Sequence, residues 1–305
     1  MMALIGLVDA DQTNFPNLVL MKLSAYFKAQ GYETELMKPA DVMLGLNLFK
    51  SFGKLYGACT FTKNAAIAKA LEGQGVHIAG TGTGKKEVLP QNIEHIMPDY
   101  SLYGIKDTAY GFLTRGCPRG CPFCIVAGKE GKRSRKVADL SEWWDGQTNI
   151  VLLDPNLLAC EDRTELLQQL ADSGARVDFS QGLDVRLMDD EAIEAINCIK
   201  TSMLHFAWDN PKDTHTKECL ANVAKKLKLQ DDRKRRVYVL TNFWSTFEED
   251  LARVYWLREN GYDPFVMVYE KDTAPRQIRR LQRWCNNKFI FRTCKRFEDY
   301  DESKG

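Results

Sequence analysis

Short apolar runs alternate with longer amphipathic stretches along the chain, and that alternation predicts its elements. Residues 3–8 (A-L-I-G-L-V) read as a buried strand. Residues 17–30 follow as a helix, with Leu18, Met21, Leu23 and Phe27 near one face. A second strand is expected over 33–37, a helix over 64–73, and a strand over 76–83 that runs into a glycine-rich turn. This order predicts a small, Rossmann-like parallel sheet. A proline-bounded connector over 89–104 then places a domain boundary near residue 100, so the first domain is 1–100.

A second alternation begins there. Strands are expected over 110–115, 149–154, 175–180, 203–208, 237–242 and 264–269, with helices over 162–172, 189–199, 214–228 and 246–260. Six such units fit a partial (β/α)6 TIM-type barrel spanning 101–272, followed by a basic helical extension over 273–305. The fold class is therefore α/β. Chemistry in such barrels sits at the C-terminal strand ends, and polar residues cluster at those positions.

The first of these strands delivers C-P-R-G-C-P-F-C, in which Cys117, Cys121 and Cys124 stand in C-x3-C-x2-C spacing. Gly116, Gly120, Pro118 and Pro122 keep the segment a loop. Three thiols cannot all pair as disulfides, and no Cys or His lies near enough in sequence to complete a compact tetrahedral zinc site. Three ligands on a [4Fe–4S] cluster would leave one iron open. The competing readings are a zinc loop with a distant fourth ligand, or three incidental thiols.

The spacing, with an aromatic residue at Phe123, resembles the radical S-adenosylmethionine (radical SAM) superfamily. The resemblance implies a [4Fe–4S] cluster on Cys117, Cys121 and Cys124, and SAM on the open iron. It also implies reductive cleavage of SAM to a 5′-deoxyadenosyl radical, and an electron donor such as flavodoxin or ferredoxin. SAM would lie across the strand ends, contacting Phe123, Asp154, Asn156, Gln181, Asp184, Arg186, Asp209 and Asn242. An acid for its ammonium, a cation for its carboxylate and polar groups for its ribose are the chemistry required. Asp-Pro-Asn and Asp-Asn-Pro are also ordinary turn sequences.

Residues 1–100 resemble the cobalamin-binding domain that precedes the radical core in one large group of these enzymes. Its D-x-H-x-x-G motif is missing, because the chain reads Asp9-Ala10-Asp11-Gln12-Thr13-Asn14. The residues therefore argue against cobalamin and for a degenerate domain. The basic run after the loop, with Lys132, Arg133 and Arg135, is similar over some twenty residues to the tRNA methylthiotransferases. Those enzymes carry three more cysteines in the first domain, where this chain has only Cys59, and a C-terminal RNA-binding domain that does not fit here. The run Gly80-Thr81-Gly82-Thr83-Gly84-Lys85 fails both phosphate-loop patterns and reads as a turn.

Composition narrows the setting. The chain has 305 residues, 44% apolar and 27% charged, with a net charge of +1, so any nucleic-acid surface must be local. No apolar run can cross a bilayer, no basic leader is present, and nine cysteines without an export signal suit a reducing cytosol. Of the six other cysteines, most are expected to be buried apolar residues, with Cys285 and Cys294 the first pair to suspect of a second cluster. At the C-terminus Arg276, Arg279, Arg280 and Arg283 form one helical stripe, which makes Arg279 and Arg283 candidates for a nucleotide or nucleic-acid substrate. An acidic tail (Glu298, Asp299, Asp301, Glu302) argues against that role. Two other outputs remain open: methyl or sulfur transfer with cobalamin or a second cluster, and a non-catalytic metal-containing nucleic-acid-binding protein.

Overall fold

A computed structural model of the chain describes residues 4–45, 52–85 and 87–304. Ala3, expected to open the first strand, lies outside the described residues. The chain is mixed α/β with parallel sheets, and it divides into two compact units. One comprises Met1–Gly111 with Leu140–Gln147; the other comprises Phe112–Asp139 with Thr148–Gly305.

In the first unit β1 (Leu4–Asp9), α1 (Leu18–Ala29), β2 (Glu33–Met37), α2 (Pro39–Met43), β3 (Phe52–Ala58), α3 (Ala65–Gly73), β4 (His77–Ala79), α4 (Gln91–Glu94) and β5 (Thr108–Gly111) follow in order. The first four strands form one parallel sheet in the order β2-β1-β3-β4. Asn17 starts α1 by accepting the amides of Val19 and Leu20, two of the donors a helix leaves unpaired. Leu20 and Met21 of that helix are fully buried, and Leu20 packs with Ile5, Leu7 and Ala58 of the sheet. On the other face Val8, Val42, Leu71 and Ile78 pack together. Strand β3 was not expected from the sequence: Gly53, Lys54 and Gly57 interrupt its apolar pattern. It pairs with β1 nonetheless, and a Cβ at Gly57 would press on Ile78 and Val76.

The second unit continues with β6 (Thr114–Arg115), α5 (Val126–Lys129), β7 (Arg135–Lys136), β8 (Asn149–Leu152), α6 (Arg163–Ser173), β9 (Arg176–Phe179), α7 (Asp190–Cys198), β10 (Thr201–Ala207), α8 (Thr214–Lys226), β11 (Arg235–Thr241), α9 (Phe247–Glu259), β12 (Asp263–Val268), α10 (Arg276–Asn286) and α11 (Lys288–Thr293). Strands β8 to β12 lie side by side in sequence order, and every pair is parallel. Helices α6 to α9 start at capping side chains or acidic first turns; α9 has a full capping box between Thr246 and Glu249. Val254 of α9, Val266 of β12, and Leu281 and Trp284 of α10 bury a core that the C-terminal Phe297 and Tyr300 complete.

The single strand expected over 110–115 is two pieces, β5 and β6. The break has a definite cause. The amides of Leu113 and Thr114 turn to the Asp154 carboxylate, at 3.0 and 2.5 Å, instead of to a strand neighbour. Strand β6 then pairs antiparallel with β7, so the cysteine loop is the connection across a short hairpin.

Two non-glycine residues take left-handed backbone angles just past neighbouring strands: Asn242 (φ 61°) after β11 and Glu270 (φ 45°) beyond β12. Glu270 is exposed, so its strain is not repaid by packing. Glu270→Gly is expected to stabilise the chain by about 0.5–1 kcal/mol. Thermal unfolding checks this; a lower midpoint would mean that the side chain itself holds the turn.

Candidate functional site

The cysteine loop is held from three sides within the second unit. Gly116 (φ 90°) enters it in a conformation that suits glycine, and a Cβ there would collide with the carbonyl oxygen of Arg133. Glu130 grips the entry, accepting from Arg115 Nη1 at 2.8 Å and from the Gly116 amide at 3.2 Å. The Cys117 amide donates to the Gly131 carbonyl at 3.1 Å, and that of Cys124 to the Cys121 carbonyl at 3.0 Å. All three cysteines are unbridged; Cys117 and Cys121 are half-buried and Cys124 is exposed.

Burial, then the charge of Asp209, pushes the Cys121 thiol up; Cys117 and Cys124 add to this, while Arg186 opposes it. The three thiols and the ends of β9 and β10 therefore share one electrostatic neighbourhood. Among the described residues no three His, Cys, Asp or Glu side chains have the geometry to hold a single metal ion. A four-iron cluster spreads its thiolates around its own volume, so the set has to be weighed by ligand chemistry. Three unbridged thiols on one loop fit such a cluster, with one iron left for another ligand.

The expected strand-end residues separate into two groups. Asp154 is fully engaged by the scaffold: besides the two amides it accepts the Thr114 hydroxyl at 2.7 Å. Burial pushes its carboxyl up to about 7, against the pull of those donors. A raised carboxyl makes the folded state hold a proton that the unfolded chain releases. The associated stability is complete below the unfolded value near 3.8 and is lost as pH rises through about 7. Melting midpoints from pH 4 to 8 test this: the difference between the native chain and Asp154→Asn should shrink with rising pH and level off above about 7.

Asp184, with its side chain 5% exposed, binds Arg119 and Arg186. Burial works against its anion, but the two arginines outweigh it and hold its carboxyl below the ordinary range. Arg186 reaches on to Asp213 at 3.3 Å, which also caps α8.

The second group carries unspent polar atoms. Asn156 is buried; its Nδ2 lies 3.5 Å from Cys117 Sγ and 3.5 Å from Asp184 Oδ2, while its Oδ1 has no partner among the described residues. Asp209 is half-buried, and its carboxylate makes no hydrogen bond among the described residues. Burial raises it to about 6, although Arg253 and Arg186 act to lower it. A buried acceptor without a donor and a desolvated acid beside a thiol are what a polar ligand would satisfy. Gln181 is exposed, with its Nε2 3.5 Å from Ser180 Oγ. Asn242 spends its amide on the Tyr269 carbonyl at 2.8 Å.

Phe123 joins an aromatic cluster. Its ring lies 5.6 Å from both Phe243 and Trp244, and Phe243 lies 4.7 Å from Tyr269. The T-N-F-W sequence past β11 was the available signal for this cluster and was not read. Nor were Arg119, Glu130 and Arg253. The last is buried on α9 and donates to the carbonyls of Trp208, Asp209 and Leu240, and to Asp250. It thereby fastens the ends of β10 and β11, where Asp209 stands.

The candidate substrate contacts are less open than their charge suggests. Arg133 pairs with Glu161, Arg135 with the Glu130 carbonyl, and Lys136 with Asp139 and Glu165; Lys132 is exposed. On α10 the acidic tail lies over the stripe: Glu302 pairs with Arg276 and Arg280, each at 3.0 Å. Arg279 and Arg283 are exposed. Cys285 is buried, donates to the Pro264 carbonyl and is pushed by burial to about 12, while Cys294 donates to the Arg296 carbonyl.

In the first unit Asp11, which stands where the cobalamin motif has histidine, accepts from the amides of Thr60 and Phe61 and from Asn64. Gly82 packs against Cys59 and Phe61, and Lys85 pairs with Glu72, so the glycine-rich turn is folded onto its own unit.

No protein-family model matches the chain, and no curated protein matches it. Among the solved structures similar to it are two of the radical SAM methyltransferase TsrM from Kitasatospora setae. One, with cobalamin and a [4Fe–4S] cluster bound, is 13% identical at a TM-score of 0.41, over 88% of this chain and 69% of that one. The other, with tryptophan substrate and the SAM analogue aza-SAM bound, is 13% identical at a TM-score of 0.40, over 86% and 67%.

Proposed function

We propose that this protein is a radical SAM enzyme. The observation that carries the reading is the loop itself: three unbridged thiols in C-x3-C-x2-C spacing, pinned beside the C-terminal ends of a parallel sheet. Cys117, Cys121 and Cys124 would hold a [4Fe–4S] cluster. Such a cluster, once reduced by an external one-electron donor, would supply the electron that splits bound SAM into methionine and a 5′-deoxyadenosyl radical.

The chain's own residues bind and orient. Asp209 offers an unspent carboxylate to the ammonium end of the ligand, and Arg186 a cation to its carboxylate end. Asn156 offers Oδ1 beside Cys117, and Phe123 an aromatic wall that excludes water. Asp154, Gln181 and Asn242 act in this reading through the loops they shape.

The strands from residue 101 to 272 form the partial (β/α)6 core in this reading. Residues 1–100 form a degenerate cobalamin-binding-like domain, and 273–305 a basic extension. The setting is a reducing cytosol, the electron donor a flavodoxin or ferredoxin, and the substrate a nucleotide or nucleic acid approached through Lys132, Arg133, Arg135, Arg279 and Arg283. Cobalamin-dependent methyl transfer is the alternative output. Titration with hydroxocobalamin tests it directly, since Asp11 stands where a cobalt-ligating histidine would.

The deciding experiment is anaerobic reconstitution with iron and sulfide, then dithionite and SAM, with an assay for 5′-deoxyadenosine. Appearance of the nucleoside supports the enzyme. Stoichiometric zinc without colour, or a cluster that never cleaves SAM, overturns it in favour of a metal-containing binding protein.

A further inference from the structure

The geometry points to Asp184 as a positioning residue: the latch that holds the cysteine loop in shape, not a group that touches the bound ligand. This inference rests on the radical SAM reading of the loop. Both oxygens of Asp184 are already spent. Oδ2 accepts from Arg119 Nε and faces Asn156 Nδ2 at 3.5 Å. Oδ1 accepts from Arg186, from Nε at 2.8 Å and from the amide at 3.3 Å.

Arg119 is the telling partner, because it lies inside the spacer between Cys117 and Cys121. One carboxylate from the β9 end, 65 residues away in sequence, thus fixes the middle of the loop. Asn156 adds a second tie, since the same amide faces Asp184 and Cys117 Sγ. Arg186 carries the connection to Asp213 and so to the start of α8, which gives the latch a rigid mounting. With the side chain 5% exposed, the Arg119–Asp184 pair is shielded from solvent on its acidic side, where such a pair holds more firmly than on a surface. A loop that must present three thiols at once gains from being set before the cluster arrives.

The test uses the full chain reconstituted with iron and sulfide, challenged with an iron chelator. Arg119→Gln, Asp184→Asn and the double variant are compared with Arg236→Gln, which breaks another ion pair of the same unit. Each single variant should release iron about tenfold faster than the native chain. The double variant should release it no faster than Asp184→Asn alone, because Asp184→Asn already removes the bond to Arg119. In the metal-free protein, iodoacetamide should alkylate Cys121 faster in the latch variants and at the native rate in Arg236→Gln. Arg119 is one-third exposed, so Arg119→Gln keeps its fold and serves if Asp184→Asn does not.

Native release and alkylation rates in the latch variants would overturn the inference. So would additive effects, or a loss of SAM binding in Asp184→Asn with iron release unchanged, which would make Asp184 a ligand contact. If the native chain takes up no iron and sulfide, the radical SAM reading fails first. The alkylation comparison then decides the latch alone.

Discussion

Cys121→Ala will be colourless after reconstitution and will produce no 5′-deoxyadenosine, while its unfolding midpoint stays within a few degrees of the native chain. Cys121 is the middle thiol of the three and is only half-buried, so its loss opens no large cavity. Two thiols cannot hold a cubane whose fourth iron must stay free, so the effect on the chemistry is total and not graded. Visible absorption, iron and sulfide content and nucleoside yield are the readouts. A variant that still cleaves SAM would displace the cluster from this loop. Cys160→Ala, a buried thiol 3.6 Å from Asp162, controls for a general effect of cysteine removal.

Arg253→Met will destabilise the second unit by about 3–5 kcal/mol, because it leaves Asp250 buried without its cation and frees three strand-end carbonyls. At the usual scaling that is a midpoint lower by roughly 10 °C. Asp250→Leu combined with Arg253→Met should recover part of the loss, since an apolar pair carries no desolvation penalty. If the double variant is no better than Arg253→Met, the carbonyl contacts outweigh the ion pair.

The second alternation was legible because β8 to β12 are short, largely apolar runs with polar residues soon after them, and the helices that follow β8 to β11 open on a cap or an acidic turn. Strand β3 was not, since its two glycines and a lysine disguise a strand whose place is set by neighbours on both sides. The split of 110–115 was hidden for a related reason: Asp154, forty residues on, takes the amides that would have continued the strand. The cysteine triplet needed only local spacing. The residues that hold it needed the fold. Arg119 finds Asp184 and Arg253 finds Asp209 across long stretches of chain, and neither spacing nor composition encodes those meetings. Glu130 had a faint local signal, a lone acid inside a basic run.

The contact between Phe123 and Trp244 gives this molecule an optical gauge of its own. Trp244 is 41% exposed, and its ring lies 5.6 Å from the residue bonded to Cys124. Iron–sulfur chromophores absorb where indole emits, so filling the loop should dim Trp244 and bleaching by oxygen should restore it. Subtracting the spectrum of Trp244→Phe isolates that one emitter, and assembly, air damage and repair at the loop become readable in a cuvette, in real time, before any substrate is known.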